Sequence, residues 1–323
     1  MPLHRLLVCC LLPFALSAAG AALAAPPLPA PLPENGPPTM EALRAPRSDL
    51  QAQVLLDRAR FSPGQIDGVP GSNQRRALAG FQQAHGLRAS GELDEATWQA
   101  LERDNAPVLV QYTITDADVA GPFVAIPARI ANQAGLPRLG FRSIDELLGE
   151  RFHADPALLR TLNPGVDFAR AGSRLQVPNI ATDPLPPAAR VVVDKSDSSV
   201  RLLDDGGAVL AQFPASSGSK HDPLPIGQWT VQGVVHDPTF HYNPKLFWDA
   251  DNRERKATIA AGPNNPVGVV WVDLSKPHYG IHGTPEPGHV GKTQSHGCIR
   301  LTNWDAAALA SAVQAGTPVT MQE

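Results

Sequence analysis

Proline placement divides this chain into segments that cannot share one continuous helix or sheet. The sequence has 33 prolines in 323 residues, which is about twice the ordinary proportion. Seven prolines fall within residues 26–38 and three within residues 184–187. Because proline lacks a backbone N–H and has a fixed φ, such runs form extended spacers instead of packed elements. A softer break lies near Asn105, and the length itself predicts two or three domains.

The first 24 residues have the pattern of a secretion signal. A basic start precedes the apolar run 6–16, and small residues follow up to Ala24. An apolar segment followed by an A-x-A site predicts export and cleavage, which leaves a Pro-rich linker over residues 25–47. The alternative is an uncleaved anchor, because residues 6–25 are about long enough to span a bilayer. With cleavage we expect a periplasmic protein without stable membrane insertion.

Residues 48–104 predict three short helices. Apolar residues recur at helical spacing from Leu50, Gly86 lies where a glycine ends a helix, and Asp94 is a good N-cap for the third helix. The segment resembles the peptidoglycan-binding domain type 1 family in residues Asp67, Gly68, Arg76, Leu78, Phe81, Gln82, His85, Gly86, Leu87, Gly91, Leu93, Asp94, Thr97, Trp98 and Leu101. This resemblance implies an N-terminal domain that binds the cell wall.

Residues 108–180 predict a small α+β module that resembles LysM. A first strand at 112–114, two helices starting near Ile144 and His153, and a closing strand carry the resemblance. An insertion over residues 116–142 takes the place of the tight Gly-Asp-Thr-Leu step of the family. That step forms part of the glycan groove in the family, so the module is either a glycan binder or a structural spacer.

After a linker over residues 181–188, residues 189–323 predict a mainly β domain. Short apolar runs are separated by polar turns, and one clear helix begins near Asn303. Many short strands with regular turns are typical of a sandwich or barrel.

Cys298 is the cysteine that remains after export. The other two, Cys9 and Cys10, lie in the predicted signal, so Cys298 has no disulfide partner in its own chain. A thiol becomes a strong nucleophile when it loses its proton, and a neighbouring histidine promotes that loss. His296 is two residues away and shares the face of Cys298 in an extended segment, whereas His282 can approach from a neighbouring strand. Both are candidate bases.

Gly297 lies directly before Cys298 and permits close approach of a substrate backbone. The amides of Gly297 and Cys298 are candidate donors to an oxyanion. A nucleophile, a base and oxyanion donors are the minimum set for acyl transfer through a thioester.

Other site classes are less well supported. The formal net charge of −4 does not suggest an electrostatic nucleic-acid binder. Zinc is the metal alternative, because five suitable ligands lie within 21 positions: His278, His282, His289, His296 and Cys298. No C-x-x-C or H-E-x-x-H pattern organises them. We therefore expect no metal site and no cofactor.

The C-terminal domain resembles the L,D-transpeptidase (YkuD) family. His282-Gly283-Thr284 and the run Ser295-His296-Gly297-Cys298-Ile299-Arg300-Leu301-Thr302-Asn303 match its signature, with supporting matches at 225–229 and 262–268. Together with the LysM-like module, the chain is similar to the periplasmic subgroup of that family.

The resemblance implies a role for each matched residue. Cys298 is the nucleophile, and His282 is the general base and acid, oriented by the backbone carbonyl of Gly283. Ser295 and His296 shape the oxyanion site and donor pocket around Gly297. Three further side chains are assigned to substrate binding: Arg300, Tyr279 and Trp248.

The implied reaction has two steps on peptidoglycan stem peptides. Cys298 attacks the carbonyl of the third residue of a tetrapeptide donor, and the terminal D-Ala leaves. An amine from a second stem then resolves the thioester and forms a crosslink between third-position residues. Water as acceptor gives L,D-carboxypeptidase activity, and a lipoprotein lysine gives protein anchoring. A wall-binding scaffold without catalytic activity is the alternative from another class.

Overall fold

The computed structural model describes residues 40–248, 250–251 and 253–323. The predicted signal and the Pro-rich part of the predicted linker lie outside the described residues. Across the described part of the chain, no helix has the length and apolar character needed to cross a bilayer.

The N-terminal domain is helical, as its sequence predicts. Its helices are α1 (Met40–Arg44), α2 (Asp49–Arg58), α3 (Ser72–Ala84) and α4 (Glu95–Leu101). The Ser48 and Asp94 side chains accept hydrogen bonds from the first-turn amides of α2 and α4, which satisfies backbone donors that a helix leaves unpaired. Helix α1 lies within the predicted linker. It forms there because the Leu43 side chain is buried against the second module, which is described next.

The second module combines one two-stranded sheet with short helices. Its elements are β1 (Leu109–Thr113), α5 (Asp116–Ala120), α6 (Ile130–Gln133), α7 (Ile144–Arg151), α8 (Pro156–Leu162) and β2 (Arg174–Pro178). Strands β1 and β2 pair antiparallel. Leu159, Phe168 and Leu175 form its core together with Leu50 and Ile66 of the first domain. One apolar cluster therefore joins the two modules.

The C-terminal domain is mainly β with one α-helix, which confirms the predicted class. Its elements are β3 (Arg190–Asp194), β4 (Ser199–Leu203), β5 (Val209–Pro214), β6 (Gly227–His236), β7 (Phe240–Tyr242), β8 (Ala257–Ile259), β9 (Val270–Leu274), β10 (Gly280–His282), β11 (Ile299–Arg300), α9 (Asn303–Ala312) and β12 (Pro318–Gln322). Eight strands form one sheet in the order β11-β10-β9-β6-β12-β3-β4-β5. Helix α9 packs on this sheet through Ala306 and Leu309, whose side chains join its apolar core.

Both N-terminal modules contact the C-terminal sheet domain directly. The Ser62 amide donates to the Gln212 carbonyl at 2.8 Å, and Gln212 Nε2 donates to the Arg76 carbonyl at 2.9 Å. From the insertion, the Leu139 amide donates to the Ala261 carbonyl at 2.9 Å. The prolines at 184–187 therefore separate the modules along the chain but not in space.

Candidate active site

Strand register puts His282 and Cys298 on the same face of the sheet. Strands β10 and β11 run parallel, with Ile281 opposite Ile299 and His282 opposite Arg300. Because side chains alternate along a strand, Cys298 shares the face of Arg300 and His282. Ile281 and Ile299 point the other way, into the core beneath α9. Two segments sixteen residues apart are thus brought together by strand pairing.

The His282 ring is held in one tautomer. Its Nδ1 lies 2.6 Å from the Gly283 carbonyl oxygen. A carbonyl only accepts, so Nδ1 carries the proton and Nε2 is the basic nitrogen. Nε2 is buried and has no hydrogen-bond partner among the described residues. Trp271 stacks on the ring at 5.4 Å between centroids, which fixes its plane.

Burial keeps both groups neutral in this closed arrangement. Cys298 is 1% exposed, and its Sγ donates to the His278 carbonyl at 3.6 Å. Burial raises the pKa of the Cys298 thiol to about 12. Burial, and then the charge of Arg300, lower the pKa of His282 to about 3. From these neutral forms, attack requires transfer of the thiol proton to a base such as His282 Nε2.

Ser295 shapes the loop before Cys298. Its hydroxyl accepts from the Gly297 amide at 3.2 Å and donates to the Cys298 carbonyl at 2.5 Å. Gly297 has φ of +106°, a conformation that favours glycine. In this arrangement the Gly297 N–H, expected as an oxyanion donor, is directed to the Ser295 oxygen instead. The turn geometry is the physical reason, because it curls the amide back toward the preceding side chain.

The remaining predicted residues line different sides of this loop. The Tyr279 ring covers Gly297, where an added Cβ would lie 3.0 Å from it. His296 packs edge-on against Phe247, with ring centroids 5.4 Å apart. Trp248 is 60% exposed and stacks on His221.

Arg300 lines a cavity of about 460 Å³. One wall comes from the catalytic domain, including Tyr242, Asn264 and Thr284, and the other from the insertion of the second module. Arg300 lies two residues after Cys298 on the same strand face, about 6.6 Å away between Cα atoms. The cavity therefore reaches Arg300, two residues from the candidate nucleophile.

Asn303 is a supporting residue that the sequence analysis did not single out. It is 1% exposed, its Oδ1 accepts from the Val269 amide at 3.2 Å, and its Nδ2 donates to the Pro263 carbonyl at 3.1 Å. An added Cβ at Gly283 would lie 2.2 Å from its Oδ1, so glycine there is required for the approach. Asn303 thereby packs against the residue whose carbonyl orients His282. Its position at the end of the matched signature is the signal that points to it.

The possible zinc ligands do not converge. Within residues 40–248, 250–251 and 253–323, no group of three or more His, Cys, Asp or Glu side chains is arranged to hold a metal ion.

Comparisons with known proteins identify two domain families in this chain. A family model of the L,D-transpeptidase catalytic domain, YkuD, matches residues 188–321, and one of peptidoglycan binding domains, PG_binding_1, matches residues 49–101. The chain is 30% identical over 179 residues to a Bacillus licheniformis protein named L,D-transpeptidase YkuD, covering 54% of this chain and 92% of that protein.

Two further similarities are with proteins named for the same activity. YbiS of Escherichia coli K12 is 29% identical over 163 residues, which cover 49% of this chain and 53% of that protein. The crystal structure of L,D-transpeptidase 3 from Mycobacterium tuberculosis, in complex with a faropenem-derived adduct, is 21% identical with a TM-score of 0.35, covering 47% of this chain and 75% of that one. From the family match and the B. licheniformis relative, this chain belongs to the L,D-transpeptidase (YkuD) family.

Proposed function

We propose that this protein is a periplasmic L,D-transpeptidase that crosslinks peptidoglycan stems through a thioester on Cys298. The observation that carries the proposal is the pairing of β10 with β11, which puts His282 and Cys298 on one face. The His282 tautomer fixed by Gly283 supports the same assignment. It favours His282 over His296 as the base, because the Nδ1 contact leaves Nε2 of His282 as the basic nitrogen.

In the first step Cys298 Sγ attacks the carbonyl carbon of the third stem residue, and its proton passes to His282 Nε2. The C–N bond to the terminal D-Ala then breaks, and the leaving amine takes that proton. In the second step an acceptor amine forms a new C–N bond, the C–S bond breaks, and the amine proton returns through His282 to sulfur. Water or a lipoprotein lysine in place of the stem amine gives hydrolysis or protein anchoring.

The N-terminal part of the chain has a proposed supporting role. The match of residues 49–101 to peptidoglycan binding domains supports attachment of the enzyme to the same polymer. We propose that the secretion signal at residues 1–24 delivers the protein to the periplasm, and that the LysM-like module acts with the catalytic domain.

Acylation by a carbapenem, measured as intact-protein mass, tests the nucleophile. We expect a single adduct on the wild type and no adduct on Cys298→Ala. His282→Ala should slow acylation by about 10²–10⁴-fold, because loss of a general base has that effect. His236→Ala is the matched control, since His236 is an exposed histidine of the same domain. An undiminished adduct on Cys298→Ala would defeat the proposal.

Incubation of the purified enzyme with disaccharide tetrapeptides tests the reaction. Crosslinked dimers that appear with release of D-Ala identify transpeptidation, whereas tripeptide without dimer identifies L,D-carboxypeptidase activity. A protein that binds peptidoglycan but releases no D-Ala would be the inactive scaffold.

A further inference from the structure

The loop between the two candidate catalytic residues contacts the N-terminal domain. We call residues 283–297 the cysteine loop. Near its middle, Val290 and Gly291 present successive backbone carbonyls to helix α3. Asn73 Nδ2 donates to the first carbonyl at 2.8 Å, and Arg76 Nη1 donates to the second at 3.0 Å. Two side chains of the N-terminal domain therefore hold a loop of the C-terminal domain.

This contact is buried and closely packed. Asn73 is 6% exposed, and Val290 is completely buried. An added Cβ at Gly291 would lie 2.3 Å from Asn73 Oδ1, so the approach requires glycine there. The same Oδ1 accepts from Arg76 Nη1 at 3.0 Å, which fixes the orientation of the amide. Because buried carbonyls need donors, the loop depends on these two side chains for its pairing.

Ser216 connects the middle of the cysteine loop to the strand that follows Cys298. Its Oγ accepts from the Gly291 amide at 3.0 Å. Its amide donates to the Arg300 carbonyl at 2.9 Å, and the Arg300 amide donates to its carbonyl at 2.8 Å. Ser216 is 1% exposed. Buried hydrogen bonds therefore link the loop contact at Gly291 to strand β11.

Helix α3 is itself attached to the sheet of the C-terminal domain. Gln212 of strand β5 donates to the Arg76 carbonyl through Nε2. An added Cβ at Gly80 would lie 2.3 Å from Gln212 Oε1, so the helix and the strand are in close contact. The helix thus spans from the eight-stranded sheet to the cysteine loop.

We propose that Asn73 and Arg76 are positioning residues for acyl transfer, so that the N-terminal domain holds the cysteine loop as well as attaching the enzyme to the wall. The inference rests on the proposed transpeptidase function. It predicts that even a small acylating compound, which needs no attachment to the wall, reacts slowly when these contacts are lost. Displacement of a reacting group by about 1 Å can cost about 100-fold in rate.

Carbapenem acylation of the full-length protein tests the proposal, measured as the limiting rate of adduct formation at saturating carbapenem. Asn73→Leu keeps the side-chain shape and removes both the donor and the acceptor. We expect its rate to fall at least about tenfold. Hydrogen exchange of the Gly291 amide should become faster in this variant, because its bond to Ser216 depends on the position of the loop.

Gln74→Met is the matched control. Gln74 is the next residue of helix α3, is 4% exposed, and forms hydrogen bonds with Asp49 and Gln53 of its own domain. Its replacement removes a buried amide from the same helix and leaves the loop contacts in place. We expect destabilisation to urea without faster exchange at Gly291, and an acylation rate within about twofold of wild type.

Arg76 provides a second pair of variants, which decides the question if Asn73→Leu does not fold. Both contacts with Asn73 and Gly291 come from Nη1 alone, so the single nitrogen of lysine can replace it. Arg76→Lys should keep the acylation rate within about threefold of wild type, whereas Arg76→Met should lose at least about tenfold.

Three results would overturn the assignment. They are an unchanged acylation rate in Asn73→Leu, an equal loss of rate in Gln74→Met, or equal rates in Arg76→Lys and Arg76→Met. Any of these results with normal acylation of the wild type removes only the positioning role. A wild type that forms no adduct removes the proposed function together with the inference.

Discussion

At the scale of single residues, backbone geometry around the nucleophile depends on glycine. Gly297 has φ of +106° and lies beneath the Tyr279 ring. Gly316 also has positive φ, at +92°, but an added Cβ there would meet nothing within 4 Å. The two positions therefore separate the effect of backbone strain from the effect of a clash at the active site.

Gly297→Ala should destabilise the protein and slow acylation, whereas Gly316→Ala should only destabilise it. Each substitution forces alanine into an unfavourable conformation, at about 1–3 kcal/mol. In Gly297→Ala the new methyl group also displaces Tyr279 and shifts the cysteine loop, so we expect carbapenem acylation to fall at least about tenfold. Urea denaturation and adduct formation measure the two effects. Equal acylation by both variants would contradict this account of the loop.

At the scale of elements, the insertion over residues 116–142 packs against the catalytic domain and contributes to its apolar core. Leu139 is completely buried among Phe240, Tyr242, Phe247 and Trp271 of that domain, in the cluster that contains Cys298. Its carbonyl accepts from the Asn264 amide at 3.0 Å. An added Cβ at Gly262 would lie 2.2 Å from the same oxygen, so the contact requires glycine there.

Leu139→Ala should lower the free energy of unfolding by about 2–5 kcal/mol, the cost of a cavity at a fully buried leucine. Leu246→Ala, at a side chain 42% exposed, should change it by less than about 0.5 kcal/mol. Urea denaturation measures both. Hydrogen exchange should show faster exchange of the Leu139 amide in the first variant. Equal stability of the two variants would mean that the insertion is not anchored by this side chain.

At the scale of the whole molecule, a cluster of titratable side chains lies where the three modules meet. His153 Nδ1 is 3.0 Å from Asp57 Oδ2, and the His153 ring stacks on Trp304. Asp305 accepts from the Ser62 hydroxyl at 3.0 Å. Burial, and then the charge of Asp57, raise the pKa of Asp305 to about 7. Burial and the charge of Glu146 raise the pKa of Glu150 to about 7.

These shifts predict that stability decreases as pH rises. Between the ordinary Asp pKa of 3.8 and about 7, folded Asp305 holds a proton that the unfolded chain has lost, so raising the pH through this range disfavours folding. Burial alone would lower the pKa of His153, but Asp57 outweighs it and raises that pKa. The stability that His153 contributes is thus present at low pH and lost as pH rises through its folded pKa.

We expect the free energy of unfolding to fall between pH 5 and pH 8, by about 1–3 kcal/mol from Asp305. Asp305→Asn should flatten this dependence, because it removes the titrating group. Asp205→Asn, at an exposed turn, should retain it. Urea denaturation at several pH values measures the slope. A slope that is the same in both variants would exclude Asp305 as its source.

The sequence predicted the residues of the matched signature more completely than it predicted helix α1 and the insertion. The three N-terminal helices begin within a few residues of their expected positions, because Ser48 and Asp94 are local caps and Gly86 a local stop. Helix α1 was not predicted, because the contact that stabilises it is the packing of Leu43 against residues distant in the sequence. Leu139 was not identified either, because it lies in a segment without periodic apolar spacing.

The sequence by itself determined the family and the candidate nucleophile, because a cysteine in the run Ser295–Asn303 and a histidine in His282-Gly283-Thr284 are local patterns. The tertiary structure decided where His282 lies, because its position opposite Arg300 depends on the register of β10 and β11. It also decided that the insertion forms a wall of the cavity that Arg300 lines. Contacts between residues 130–140 and 240–265 join segments more than a hundred positions apart, and no local spacing encodes them.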